Sequence, residues 1–290
     1  MTRITLITLL LCCFILQAHP LTDGLNYLTD TECVLQNEYV TESPESKIWH
    51  DLITPNLEES KSFYNTAFGW TYADTNFKGL NYTIIYNKGS VIGGMIEVKS
   101  AKSSTWISAL PLSNVELNKR IRKVVAAGAS KALPIIKSPG RGKQVVFEGL
   151  QGEEFSLISK NEFTEAMTPS GADNNWLGME LWASDVLKAK AFYEQAFDVQ
   201  TTETTYDKKP YWLFNIEGET VAAMMNNPIT NQGSQWVPYV QVSELTALFT
   251  KIKNTKAEVI VAPSKEIRNG TLGIMQDPHG AIIAIQKPNS

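Results

Sequence analysis

The sequence predicts an α+β fold built from four strand–helix–strands units, arranged as two tandem copies. Three observations carry this expectation. One helix signature occurs twice, one register relates the two halves over their whole length, and each half restarts its own pattern once.

Trp49 to Trp70 reads WHDLITPNLEESKSFYNTAFGW, and Gly178 to Val199 reads GMELWASDVLKAKAFYEQAFDV. Phe63-Tyr64 recurs 129 residues later as Phe192-Tyr193, and Asp51 recurs as Glu180 at the same offset. Trp106 recurs as Trp236 at an offset of 130, and Gly152 as Gly280 at 128. A register held over this length marks a duplication.

Each element follows from local chemistry. Ile48 to Thr54 alternates in polarity and meets Pro55, which ends a strand. Asn56 with Glu59 forms a capping box, so a helix starts there. Leu57, Ser60, Phe63, Tyr64, Ala67 and Phe68 fall on one face of it, and Gly69 stops it. NYTIIYNKG and SVIGGMIEV predict a hairpin around Lys88-Gly89. The pattern then restarts with a strand from Trp106 to Leu112. Ser113 with Glu116 caps a second helix that runs to Gly128, and KQVVFEG and EEFSLIS follow as strands. Domains are therefore expected over 47–160 and 176–288, joined by a polar linker over 161–175.

The remaining chain is N-terminal. Arg3, the apolar run Ile4 to Leu16 and Ala18 read as a secretory signal peptide over 1–18, followed by a polar leader over 19–46. The mature protein is expected to be exported, periplasmic or extracellular, with no membrane span once the signal is cleaved; the alternative reading of the same run is an uncleaved anchor. Cys12 and Cys13 belong to the signal, so Cys33 alone offers no internal disulfide. Lys+Arg number 26 against Asp+Glu 30, without a basic block, which argues against a nucleic-acid partner.

The FY…AFGW helix, the GGM strand, the strands that restart at Trp106 and Trp236, and the terminal DPHGAIIAI resemble the vicinal oxygen chelate superfamily. That group includes glyoxalase I, bleomycin-resistance proteins and extradiol dioxygenases. The resemblance spans about Ile48 to Pro288. It implies four βαβββ units that form two tandem glyoxalase-like open-barrel domains, with helices outside and a cavity within. A fused pair of this kind is expected to be a monomer.

Strand alternation selects the residues that face the cavity. In the first copy Ile48, His50 and Leu52 go to the helix side, while Trp49, Asp51 and Ile53 face inward. In the second, Leu177, Met179 and Leu181 go to the helix side, while Gly178, Glu180 and Trp182 face inward. The resemblance places metal ligands at Trp49, Ile107 and Ser156 in one copy and Gly178, Val237 and Ala284 in the other. None of these suits a divalent cation, so no metal or other cofactor is expected. Glu180 and Asp51 are the candidate catalytic groups. They read either as ligand-orienting carboxylates or bases, or as structural acceptors. Trp49, Trp182, Tyr211, Met225, Tyr239 and Gln241 are the candidate ligand-binding residues, an aromatic wall suited to a small flat molecule. Arg141 and Arg268 flank the turns before the last strands, and His279 reads as a surface turn residue.

Three functions stay open at this point. One is a metal-free binding protein for a small molecule. A second is an enzyme, a lyase or isomerase of the glyoxalase kind or a ring-cleaving dioxygenase. The third is a structural or interaction protein without catalysis.

Overall fold

The computed structural model describes residues 48–287, apart from 78–79, 133–135, 139–141, 162–163, 165–171, 207–208, 217–218, 230–231 and 266–267. The expected signal peptide and leader lie outside the described residues, as do the side chains of Arg141 and Arg268.

The first unit runs β1 (Trp49–Thr54), α1 (Leu57–Phe68), β2 (Thr71–Phe77), β3 (Leu80–Asn87) and β4 (Ser90–Glu97). The second runs β5 (Thr105–Leu112), α2 (Asn114–Ala126), β6 (Ser130–Lys131), β7 (Ile136–Ser138), β8 (Gly142–Glu148) and β9 (Glu154–Ser159). The third is β10 (Trp176–Ala183), α3 (Val186–Phe197), β11 (Gln200–Tyr206), β12 (Lys209–Ile216) and β13 (Glu219–Asn226). The fourth is β14 (Gln235–Gln241), α4 (Leu245–Ile252), β15 (Glu258–Val261), β16 (Leu272–Gln276) and β17 (Ile282–Gln286). The second unit departs from the others, because β6 and β7 both pair with β8.

The helix ends follow the predicted chemistry. The Asn56 side chain accepts the Glu59 N–H, and Gly69 closes α1 at φ 72°. Ser113 accepts the Glu116 N–H at the start of α2. Asp185 performs the same task for α3. Lys88 and Gly89 take positive φ at the tip of the β3–β4 hairpin, as a tight two-residue turn requires.

Two units make each sheet. The first sheet has the order β2-β3-β4-β1-β5-β9-β8-β6, and the second β11-β12-β13-β10-β14-β17-β16-β15. The seam is antiparallel in both, β1 on β5 and β10 on β14. The helices lie on the face of each sheet opposite Asp51 and Glu180, as expected, and that face is turned towards the other sheet. The helices therefore lie between the sheets. One core cluster joins Phe63, Tyr64 and Phe68 of α1 to Leu245, Leu248 and Phe249 of α4. The other joins Leu117 and Val124 of α2 to Phe192 and Tyr193 of α3. The first unit thus packs on the fourth and the second on the third.

A matching pair of polar chains crosses these two junctions. Trp106 Nε1 donates to the Tyr64 hydroxyl at 2.9 Å, which donates to Asp277 at 3.3 Å. Trp236 Nε1 donates to the Tyr193 hydroxyl at 2.9 Å, which donates to Glu153 at 3.2 Å. Burial pushes both tyrosine hydroxyls well above their usual range. Burial also raises the carboxyls of Asp277 and Glu153, against the backbone N–H groups that hold them down. His279 follows Asp277 in this turn. Its carbonyl accepts the Ser104 N–H at 2.8 Å, and its Nε2 lies 3.1 Å from Glu59 of α1. It is therefore a junction residue and not a surface turn residue.

Each tyrosine hydroxyl serves two buried partners, so its removal strands a donor and an acceptor together. Tyr193→Phe and Tyr64→Phe are each expected to lower stability by about 1–3 kcal/mol in urea unfolding.

Candidate functional site

The concave faces hold two carboxylates in equivalent places. Asp51 sits on β1 with Gly94 of β4 on one side and Ile107 of β5 on the other. Its Oδ1 accepts Trp49 Nε1 at 2.9 Å and the Tyr82 hydroxyl at 2.6 Å, and its Oδ2 accepts Gln144 Nε2 at 3.0 Å. Glu180 sits on β10 between Ala223 and Val237. Its Oε1 accepts the Tyr211 hydroxyl at 2.6 Å, and its Oε2 accepts Trp182 Nε1 at 2.8 Å and the Tyr239 hydroxyl at 2.6 Å. Asp51 and Glu180 are each 1 % exposed. A carboxylate so far from water persists only with its lone pairs filled, and three donors converge on each.

The donors come from different positions in the two copies. Tyr82 and Tyr211 match at an offset of 129. The tryptophans do not. Trp49 lies two residues before Asp51, where the second copy has Gly178. Trp182 lies two residues after Glu180, where the first copy has Ile53. The third donor is Gln144 of β8 in one case and Tyr239 of β14 in the other. Acid length also compensates. A Cβ on Gly94 would lie 1.7 Å from the Tyr82 hydroxyl. The short Asp51 therefore needs a glycine beside it, whereas Glu180 reaches further from the sheet and has Ala223 as its neighbour.

Several of the predicted site residues are brought together. Trp182, Tyr211 and Tyr239 meet at Glu180, and Trp49 meets Asp51. Met225 packs against the apolar cluster that holds Trp182 and Tyr239. Gln241 stands apart at the end of β14, where its backbone bonds to Asn174 and Asn175 tie the linker to the sheet. The wall is closely packed, with Trp49, Trp182, Tyr211 and Tyr239 all buried. Tyr82 and Gln144 were not anticipated. The repeat register could have found Tyr82 from Tyr211. Nothing marks Gln144, whose counterpart is Leu272.

One facing assignment needs correction. Leu177 clusters with Trp182 and Tyr239 on the concave side, not under the helix. The pairing of β10 with β14 shifts register between Trp176 and Gly178, and such a bulge reverses the alternation at that point. Trp176 is thereby sent to the helix side.

His50 faces the helix side as expected. It is buried, its ring lies 4.4 Å from that of Trp176, and Nδ1 is 3.0 Å from Ser108 Oγ. Burial lowers its pKa to about 3, in spite of the neighbouring Asp51. The ring is therefore neutral in the folded protein across ordinary pH.

The donor set does not fit a divalent cation. The positions to which the resemblance assigns ligands carry Trp49, Ile107 and Ser156 on one concave face and Gly178, Val237 and Ala284 on the other. The nearby carboxylates already face N–H and O–H donors, whose positive ends oppose a cation. Among the described residues no three His, Cys, Asp or Glu side chains converge.

Residues 176–285 match the family model described as the Glyoxalase/Bleomycin resistance protein/Dioxygenase superfamily. CFP32 of Mycobacterium bovis, named as a candidate glyoxylase, is 23% identical over 262 residues, covering 87% of this chain and 97% of that protein. The 2,3-dioxygenase LapB from Pseudomonas sp. KL28 has a similar fold, with a TM-score of 0.58 at 12% identity, over 83% of this chain and 91% of that one. The Mn(II)-bound glyoxalase from Novosphingobium aromaticivorans gives a TM-score of 0.55 at 13% identity, over 83% and 82%.

Two outcomes follow from this geometry. Gly94→Ala is expected to displace the Tyr82 hydroxyl from Asp51 and to cost about 1–3 kcal/mol in denaturant unfolding. Ala223→Gly, at the equivalent place beside Glu180, should cost no more than about 1 kcal/mol. The second outcome concerns pH. Unfolding lets His50 protonate near 6.5, while the folded ring stays neutral down to about 3. Its contribution is full above 6.5 and is lost as pH falls towards 3. Between pH 6 and 5 the protein should lose roughly 1 kcal/mol from this group. His50→Met, which installs the counterpart residue Met179, should flatten the stability profile by that amount.

Proposed function

We propose that this chain, whose residues 176–285 match the glyoxalase/bleomycin-resistance/dioxygenase family model, binds a small, flat, partly apolar molecule at the concave face of its second sheet, without the superfamily metal. The observation that carries this reading is the Glu180 carboxylate, whose three partners are uncharged donors. Its orientation is set, yet its charge is not neutralised by them. Such a group fixes the orientations of Trp182, Tyr211 and Tyr239, and these supply the aromatic surface that a flat ligand would meet. Gly178, Val237 and Ala284, where metal ligands would stand, contribute space and apolar surface instead of coordination. The reading extends to an exported, monomeric binding protein. The apolar run Ile4 to Leu16 supports export, and the fused halves support the monomer. No helix among the described residues is long and apolar enough to cross a membrane.

A second reading is an enzyme of the glyoxalase or dioxygenase type. Similarity to CFP32 over 97% of that protein supports it. In that case Glu180 would be the group that moves a proton.

A thermal-shift screen of the full chain against small aromatic amines and phenols tests the binding reading. A binder should raise the unfolding midpoint. Glu180→Gln should remove that rise while the fold survives at a cost of about 1–3 kcal/mol, since charge-assisted hydrogen bonds to Trp182 and the two tyrosines are weakened. Asp51→Asn should leave the rise in place. If no compound stabilises the protein, or if the stabilisation ignores Glu180→Gln, the second concave face is not the binding site.

A further inference from the structure

The two junctions between the sheets are related by the repeat, yet they are filled differently. Where the second unit meets the third there is a cavity of about 90 Å³. Ile48, Met179, Phe197, Val199, Val221 and Trp236 are among its lining residues. It lies on the helix side of the second sheet, so it is separate from Glu180 and from the concave face.

The other junction identifies what fits there. Val199 has Trp70 as its counterpart, 129 residues earlier. Ile48 has Trp176. The bulge at Leu177 pairs Trp176 with Val240, the counterpart of Leu110, and Ile48 directly precedes Trp49, which pairs with Ala109. Where the first unit meets the fourth, both indoles are therefore present. Trp70 stacks on Tyr64 at 5.5 Å and 15°, and Trp176 meets Trp106 edge-on at 5.1 Å and 77°. Trp70 and Trp176 meet each other at 5.2 Å and 63°. The aromatic frame that receives them is repeated around the cavity. Tyr64 and Trp106 stand 5.4 Å apart at 75°, and Tyr193 and Trp236 stand 5.4 Å apart at 87°. Phe68 has Phe197 as its counterpart. The Tyr–Trp frame is kept, and Phe214 and Phe155, where the other junction has Ile85 and Ile283, take part of the space beside Tyr193. The two indoles are replaced by the smaller Val199 and Ile48, and the cavity remains between them.

We infer that this cavity is a binding site for a planar aromatic molecule of indole size, which stacks on Tyr193 and meets Trp236 edge-on. The volume exceeds the roughly 10–15 Å³ that one water needs, but water also needs polar partners, and this lining is apolar. An apolar, poorly hydrated pocket favours an apolar guest. One polar contact is available by the same equivalence. Trp176 Nε1 donates to the Ile92 carbonyl at 2.6 Å, and the counterpart of Ile92 is Val221 in the cavity wall. A ring N–H on the guest would meet the Val221 carbonyl.

The test uses indole itself as the probe, titrated into the full chain with labelled Ile, Val and Met methyl groups and followed by NMR. Saturable shifts are expected at Ile48, Met179, Val199 and Val221, and not at Met225 or Val237 on the concave face. Val199→Trp, which restores the ring found at Trp70, should weaken indole binding at least tenfold and raise the unfolding midpoint by roughly 2–4 °C through cavity filling. Ile48→Trp fills the site from the other sheet and decides the matter if the first variant fails to fold. The inference is overturned if indole produces no saturable shifts at the four cavity methyls, if the shifts gather at Met225 and Val237 instead, or if folded filled variants bind indole as well as the parent does.

Discussion

The arrangement depends on two buried tyrosine hydroxyls. Tyr64 and Tyr193 each accept a hydrogen bond from a tryptophan of the neighbouring unit in the same half and donate one to a carboxylate of the other half. The contact is available only when α1 lies against the fourth unit and α3 against the second. Any slip of one sheet over the other would leave an indole N–H, a hydroxyl and a carboxyl unpaired away from water. That penalty is steep, whereas apolar packing between the same surfaces is tolerant of small shifts. The hydrophobic clusters make the halves adhere, and the Trp–Tyr–carboxylate chains determine where they meet.

The duplication preserves these polar constellations without preserving the residues that build them. Asp277 supplies the junction carboxylate in the fourth unit, but its counterpart by register in the second unit is Gly149. There the carboxylate comes from Glu153, whose own counterpart is Ala281. A Cβ on Gly149 would lie 2.1 Å from a Glu153 oxygen, so the glycine is the space into which the longer acid folds back. The concave sites show the same exchange, with Trp49 against Trp182 and Gln144 against Tyr239. What both halves retain is a carboxylate with a complete set of donors. A buried acid tolerates a change in where its donors come from and does not tolerate their loss.

This behaviour explains what could be read in the sequence. The four units, the helix caps at Asn56 and Ser113, the hairpin at Lys88-Gly89 and the inward positions of Asp51 and Glu180 were legible, because local chemistry and strand alternation determine them. Trp182, Tyr211 and Tyr239 were legible as one wall for the same reason. Gln144 was not, since a donor recruited from a distant strand leaves no periodic trace and its counterpart is an apolar leucine. Leu177 was misassigned because one bulged residue reverses alternation without changing composition. The placement of the helices between the sheets was also hidden. A helix shows one apolar face in sequence, and nothing there says whether a second domain covers its other side.

The bulge at Leu177 also connects the two sites. Without it Trp176 would point to the concave side and Leu177 to the helix side. Its presence sends the Trp176 indole into the junction of the first and fourth units, against His50 and Trp106, and leaves Leu177 to line the concave face near Tyr239. The first strand of the first half carries Ile48 in the corresponding place, too small to fill the junction of the second and third units. One register shift in one copy therefore closes one junction with an aromatic ring, while its counterpart keeps a cavity. The chain's asymmetry arises from strand register as much as from residue identity, and that is why two halves with the same topology present different surfaces.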